Sequence, residues 1–288
     1  MKSVLIVGAY GFLGSHITLK SLENNYEIIL LIKSSSDSYR ISNNLLEKAS
    51  IYYIDKVKIE DLYKENDIFL TVISAVSYES ELSFEVYKTN FLMPLELIEN
   101  GALNECLNYI VFGSFFQKFQ EYPIKKDYSL SKSYLNEVIE RKKELRIFNL
   151  QLEHMFGPND NQNKFIPWVL GQMRNGAEQI KLTSCIQKRD FVFVDDVASL
   201  VIRIMDKCDE FEFGYYTFEV GNGVSIELRS FLELLKRYAK SSTVLNYGSL
   251  PMPPYEIKDS SADMQSIPKA LQWQPIHTLE SGIRQLLI

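Results

Sequence analysis

An α/β fold built on a doubly wound parallel sheet, with a smaller mixed α/β lobe, is what this sequence predicts. Three observations predict it. Short, continuously apolar runs recur along the first part of the chain: "SVLIVGA", "EIILLIK", "ASIYYID", "DIFLTVISA" and "LNYIVFGS". Helical patterns such as "HITLKSLENN" and "FEVYKTNFLMPLELIENG" stand between them. A glycine-rich turn, "GAYGFLG", joins the first apolar run to the first helical one.

Each apolar run lacks the polar alternation of a half-solvated strand, so each is expected in a parallel sheet covered on both faces. Right-handed crossovers through the intervening helices then wind the sheet in both directions. After "LRIFNLQLEHMFGPND" the rhythm loosens, and Pro158, Pro167, Pro251, Pro253 and Pro254 punctuate shorter elements. The division that follows is a sheet domain over 1–150 plus about 190–212, and a lobe over about 151–189 and 213–288.

The composition narrows function by exclusion. A net charge of −6 leaves no basic surplus to neutralise nucleic-acid phosphates. Cys106, Cys185 and Cys208 lack CxxC spacing, which suits a reducing cytoplasm and gives no zinc site. His16, His154 and His277 are too dispersed for a histidine-rich metal centre. Glycines interrupt the apolar N-terminal run, which reads as a strand rather than a signal peptide, and no run of about twenty apolar residues predicts a membrane span.

The turn "GAYGFLG" carries the first chemistry. Gly8 permits a tight turn, Gly11 lets backbone approach a pyrophosphate, and Gly14 lets the helix pack closely on the sheet. The helix N-terminus adds free N–H groups and a positive dipole end. This predicts a dinucleotide-binding Rossmann domain, with Gly8, Tyr10, Gly11, Phe12 and Leu13 around the cofactor and Ser74 at the end of a later strand. The second strand ends in Lys33, Ser34, Ser35 and Ser36, with Arg40 following, where an acid would bind the ribose of NAD. A cation and hydroxyls suit a 2′-phosphate, which favours NADPH over NADH or NAD. Asp55 falls where it could lie beside adenine.

In "DYSLSK", Tyr128 and Lys132 are four residues apart and share one helix face. An adjacent ammonium stabilises phenolate, so this tyrosine suits proton transfer to a carbonyl oxygen as hydride reaches the carbon.

With both motifs in order, the chain resembles the extended short-chain dehydrogenase/reductases, the NAD-dependent epimerase/dehydratase family. "GAYGFLG", "VFGS", "DYSLSK", "FGPND" and "KRDFVFVDDV" carry the resemblance over essentially the whole length. It implies a triad of Ser114, Tyr128 and Lys132, with Lys132 and Asn90 near the nicotinamide ribose. It also implies a structural role for Asp195 and Asp196, and a packing role for "ALQWQP". Dehydratases of this family carry Asp-Glu directly after the hydroxyl residue, and fucose-synthase-like members a cysteine two residues after it. Phe115 and Phe116 stand there instead. The resemblance is nearest to the CDP-paratose and CDP-abequose synthases, which reduce C4 of a nucleotide-linked 4-keto-deoxyhexose for surface polysaccharides. Substrate contacts implied with it are Ser114, Phe115, Phe116, Tyr128, His154, Lys164, Arg189 and Lys258. A homodimer is implied as well, through helices bearing Phe91, Leu95, Leu135 and Val138. Two other readings stay open: a 4-epimerase with tightly held NAD, and a non-catalytic dinucleotide sensor or scaffold.

Overall fold

The first apolar run forms strand β1, Ser3–Val7, with all five residues buried. β2 (Glu27–Ile32), β3 (Ala49–Tyr53), β4 (Leu70–Ile73), β5 (Asn108–Ser114) and β6 (Arg146–Leu152) follow. The computed structural model describes residues 2–77, 82–119 and 126–288. Among these, seven strands make the central sheet, in the order Gly214–Val220, β6, β5, β4, β1, β2, β3. β1 pairs in parallel with β2 and β4, β2 with β3, and β4 with β5, with Val4 opposite both Ile28 and Leu70, and Leu70 opposite Asn108. Strand order reverses between β1 and β4, so their carboxyl ends open a crevice of the kind where doubly wound sheets bind ligands.

Burial explains the sheet. Val4, Leu5, Ile6, Leu30, Leu70 and Val72 have essentially no exposed surface. Each such side chain contributes about 1.5–3 kcal/mol on leaving water. Two tyrosines of this core are paired: the Tyr63 hydroxyl lies 2.8 Å from Thr71 Oγ1, and the Tyr109 hydroxyl reaches the carbonyls of Ile98 and Cys106.

The segment expected as one helix over "FEVYKTNFLMPLELIENG" is divided. Ser83–Tyr87 is α-helical, Lys88–Leu92 is a π-helical turn, and Met93–Leu103 resumes the α-helix. Pro94 has no N–H to give the carbonyl of Asn90 four residues back, and the backbone widens there.

The chain separates into two compact units: 1–151, 198–218 and 266–273 in one, and 152–197, 219–265 and 274–288 in the other. The second unit is built from short pairings. His154–Phe156 runs parallel to Phe191–Phe193, Lys188–Arg189 antiparallel to Ile226–Glu227, and Gln179–Lys181 parallel to Val244–Asn246. Its own core gathers Phe156, Val169, Phe191, Phe193, Phe231, Leu232 and Ile283. Asp196 accepts from the backbone N–H groups of Ile276 and His277 and contacts His277 Nδ1 at 2.8 Å, a structural tie. In the first unit, Trp273 of "ALQWQP" donates through Nε1 to Ser199 Oγ at 2.8 Å.

Candidate active site

The glycine turn leaves β1 at Gly8, whose φ of 80° lies in the region that favours glycine. A Cβ there would stand 2.7 Å from Ala75 N, and one at Gly14 would stand 2.7 Å from Ser74 Oγ and press on Gly8 O. Ala75 N and Gly8 O are backbone atoms that cannot swing aside, so both positions require glycine. Gly11 opens the helix Phe12–Glu23 with no side-chain cap and no acid in the first turn. Its leading N–H groups and dipole end therefore suit an anion. Tyr10, Phe12 and Leu13 are buried around the turn, and Ser74 donates to the carbonyl of Val7 at 2.7 Å. A Cβ-free cradle before an uncompensated helix start fits the pyrophosphate of a dinucleotide.

At the end of β2, Lys33 and Ser34 are exposed. Ser34 donates both its backbone N–H (2.9 Å) and its hydroxyl to Asp55, whose carboxyl is held below its ordinary range mainly by the hydroxyl bond. Arg40 donates to the carbonyl of Tyr10 at 3.0 Å and stacks on the Tyr39 ring. The residues expected at the adenosine end thus form two pairs, Ser34 with Asp55 and Arg40 with the glycine turn.

Asn90 is the brace between the glycine turn and the proposed triad. It sits in the π-helical turn with about 1% of its surface exposed. Its Oδ1 accepts from Ser77 N at 2.9 Å, and its Nδ2 donates to Ser77 O at 2.8 Å and Ser131 Oγ at 3.1 Å. Ser77 belongs to the segment leaving β4 that abuts Gly8 through Ala75. Ser131 lies between Tyr128 and Lys132 on the helix Lys126–Ile139. One amide side chain therefore ties the exit of β4 to the helix that carries Tyr128 and Lys132.

Ser114, Tyr128 and Lys132 are all buried. Ser114 ends β5, and its Oγ accepts from Phe116 N at 3.4 Å. That use of a lone pair leaves the hydroxyl proton to be donated elsewhere. The Tyr128 ring packs edge-on against Phe116 at 6.2 Å, and the Lys132 ammonium stands 5.5 Å from the centre of that tyrosine ring. Lys132 donates to the carbonyl of Phe112 on β5, so strand and helix share this cation. Burial lowers the Lys132 pKa from 10.5 to about 8. Phe115 packs on Phe116 with ring centres 4.1 Å apart, so no carboxylate follows the serine.

The remaining expected contacts lie in the second unit. Arg189 is buried, and its guanidinium donates to the carbonyls of Ile257 (2.6 Å) and Lys188 (2.7 Å) and pairs with Glu256. His154 is depressed to about 3 by burial and then by the Arg189 charge, which makes it a neutral ring. Its Nδ1 lies 4.0 Å from Glu153 Oε2, a polar contact rather than an ion pair. Lys164 pairs with Asp160 at 3.0 Å, and Lys258 is exposed, its carbonyl accepting from Lys188 N.

Sequence reasoning missed Gln117, Glu153 and Glu256. Glu153 is a buried acid that accepts from the Ser260 hydroxyl, and no local pattern marks it. Gln117 stands in the "GSFFQ" segment, and its three-residue offset from a serine is the signature of a capping pair.

Comparison with known proteins bears on the family and the fold. Residues 4–221 match the NAD dependent epimerase/dehydratase family. The chain is 32% identical to CDP-abequose synthase of Salmonella muenchen, with 99% of this chain and 97% of that one aligned. It is 26% identical to CDP-abequose synthase of Salmonella typhimurium, over 99% and 97%. Among solved structures, UDP-glucose-4-epimerase of Stenotrophomonas maltophila with bound NAD superposes with a TM-score of 0.86 at 14% identity, covering 100% and 97% of the two chains. The dTDP-glucose 4,6-dehydratase of Bacillus anthracis in complex with NAD superposes at 0.83 and 17% identity, covering 100% and 96%. The glycine cradle, the Tyr128–Lys132 helix and a match across most of the chain lead to one conclusion: this protein belongs to the NAD-dependent epimerase/dehydratase family.

Proposed function

We propose that this protein reduces the C4 ketone of a nucleotide-linked 4-keto-deoxyhexose, a CDP sugar first of all, using NADPH, for surface polysaccharide precursors. The observation that carries the reading is the grouping of Ser114, Tyr128 and Lys132 with Phe115 and Phe116 where a dehydratase would hold its acids. A reduced nicotinamide, when bound, supplies the hydride. Tyr128 gives its phenolic proton to the ketone oxygen, and the Ser114 hydroxyl donates a hydrogen bond to that same oxygen. The Lys132 ammonium stabilises the phenolate left behind. His154, Arg189, Lys164 and Lys258 are the proposed contacts for the nucleotide diphosphate, with Arg189 supplying the buried cation. We further propose a homodimer formed over the aromatic face of the first unit. Phe84, Leu92 and Tyr134 are exposed there, and Tyr134 packs on Tyr87 and Phe91. Leu135 instead packs in the core of its own unit.

The test is to mix the folded protein with NADPH and CDP-, dTDP-, GDP- and UDP-linked 4-keto-deoxysugars in turn and follow the nicotinamide absorbance. Oxidation matched by alcohol product is expected with at least one sugar, and none with any sugar overturns the reading. A second reading, 4-epimerisation with resident NAD, is favoured by one observation: Asp55 occupies both Ser34 donors that a 2′-phosphate would use. Protein that purifies with NAD and interconverts C4 epimers without added cofactor would establish it.

A further inference from the structure

We infer that Gln117 is a positioning residue for Ser114, acting through the backbone of the loop that carries the serine. The inference rests on the proposed ketone reduction and adds a residue to its machinery.

Gln117 lies in the short 3₁₀ turn Phe115–Lys118 that follows β5. Its side chain folds back on the strand, and Oε1 accepts from the backbone N–H of Ser114 at 2.8 Å. In return the Ser114 hydroxyl caps the turn by accepting from Phe116 N. The pair is reciprocal, so each half needs the other. Holding the Ser114 amide fixes the start of the turn, and holding Phe116 N on Oγ directs the hydroxyl proton away from the turn.

Gly113 supplies an independent observation. A Cβ on Gly113 would stand 2.6 Å from Gln117 Oε1, 2.9 Å from Asn149 Oδ1 and 2.9 Å from Gln151 Cγ. Asn149 is wholly buried and belongs to β6, a strand of the central sheet. The carboxamide of Gln117 thus occupies the space that a side chain at position 113 would need, with the sheet behind it. Glycine at 113 and glutamine at 117 form one device, which explains "GS..Q" without invoking contact between Gln117 and the sugar.

The test compares Gln117→Met, which keeps the bulk and removes the acceptor, with Gln117→Glu, which keeps an acceptor. Turnover of a CDP-linked 4-keto-3,6-dideoxyhexose with NADPH is measured for each. Gln117→Met should lose about ten- to a hundredfold in kcat, the range expected of a misplaced group. Its KM for NADPH should stay within twofold, and Gln117→Glu should recover most of the loss. In a Ser114→Ala background Gln117→Met should cost nothing further, because it acts through the hydroxyl already removed. Additive losses in that background, a Gln117→Met rate within twofold of native, or no recovery in Gln117→Glu would each overturn the inference. If Gln117→Met does not fold, Gln117→Asn, one methylene too short to reach, takes its place. No turnover by the folded native protein would instead sink the reduction itself, an outcome separate from the behaviour of the variants.

Discussion

Lys132 shows how one buried cation can serve chemistry at the expense of stability. Its pKa is lowered to about 8 by burial alone, so the ammonium proposed to support the Tyr128 phenolate is lost above that pH. The kcat/KM for ketone reduction should therefore fall on the alkaline side with an apparent pKa near 8. The stability consequence has the opposite sign. Between about 8 and 10.5 the unfolded chain binds the proton that the folded one has released, so unfolding free energy rises with pH across that window. Denaturant melts at pH 7.5 and 9.5 should show this gain in the native protein and not in Lys132→Met. Tyr128→Phe should lower kcat about 10²–10⁴-fold with little change in Tm, the range for a lost general acid. The adenosine end separates two cations. Lys33→Ala should raise the KM for NADPH about tenfold and leave NADH unchanged, because the ammonium would meet only the 2′-phosphate. Arg40→Ala should raise both, since Arg40 also holds the Tyr10 carbonyl of the glycine turn. Equal effects of Lys33→Ala on both dinucleotides would remove Lys33 from the phosphate site.

At the scale of elements, tight junctions rather than long helices hold the site. Gly14 is where the first helix meets the turn and β4, and a methyl there meets Gly8 O and Ser74 Oγ. Gly14→Ala should abolish dinucleotide binding in a fluorescence titration and lower Tm, whereas Gly176→Ala, with open space around its position, should leave binding intact. Asn90 makes a sharper case. Its place in a helical pattern allows an ordinary surface residue, yet the π-helical turn swings it inward to join Ser77 and Ser131. Asn90→Ala leaves buried partners unsatisfied, at a cost of about 1–3 kcal/mol each before relaxation. Its loss should therefore reduce both Tm and kcat.

For the whole molecule, the exposed aromatic face and the two-unit division are the features that local pattern does not settle. Light scattering should give twice the chain mass if Phe84, Leu92 and Tyr134 meet a second copy. Leu92→Asp should then yield a folded monomer, and a native protein of single chain mass would end the dimer proposal. The sheet was legible because continuous apolar runs leave few other options, and "GAYGFLG" because only glycine tolerates the contacts at Gly8 and Gly14. Less legible was the second unit, whose strands of two or three residues carry too little periodicity to read. Arg189 and His154 could be picked out along the chain, but their partners Glu256 and Glu153 could not. The bond from Arg189 to Glu256 spans 67 residues, and Glu153 is held by Ser260 from 107 residues away.

What the sequence by itself determined is therefore the alternation of strands and helices, the glycine turn, and the helix that sets Tyr128 beside Lys132, because each depends on spacing along a few residues. Only the tertiary structure decided that Asn90 faces inward, that Gln117 turns back onto Ser114, and that burial brings Lys132 towards neutrality. Those outcomes depend on which distant groups share a small volume, and removal from water, unlike helical periodicity, is a property of the folded neighbourhood rather than of the chain.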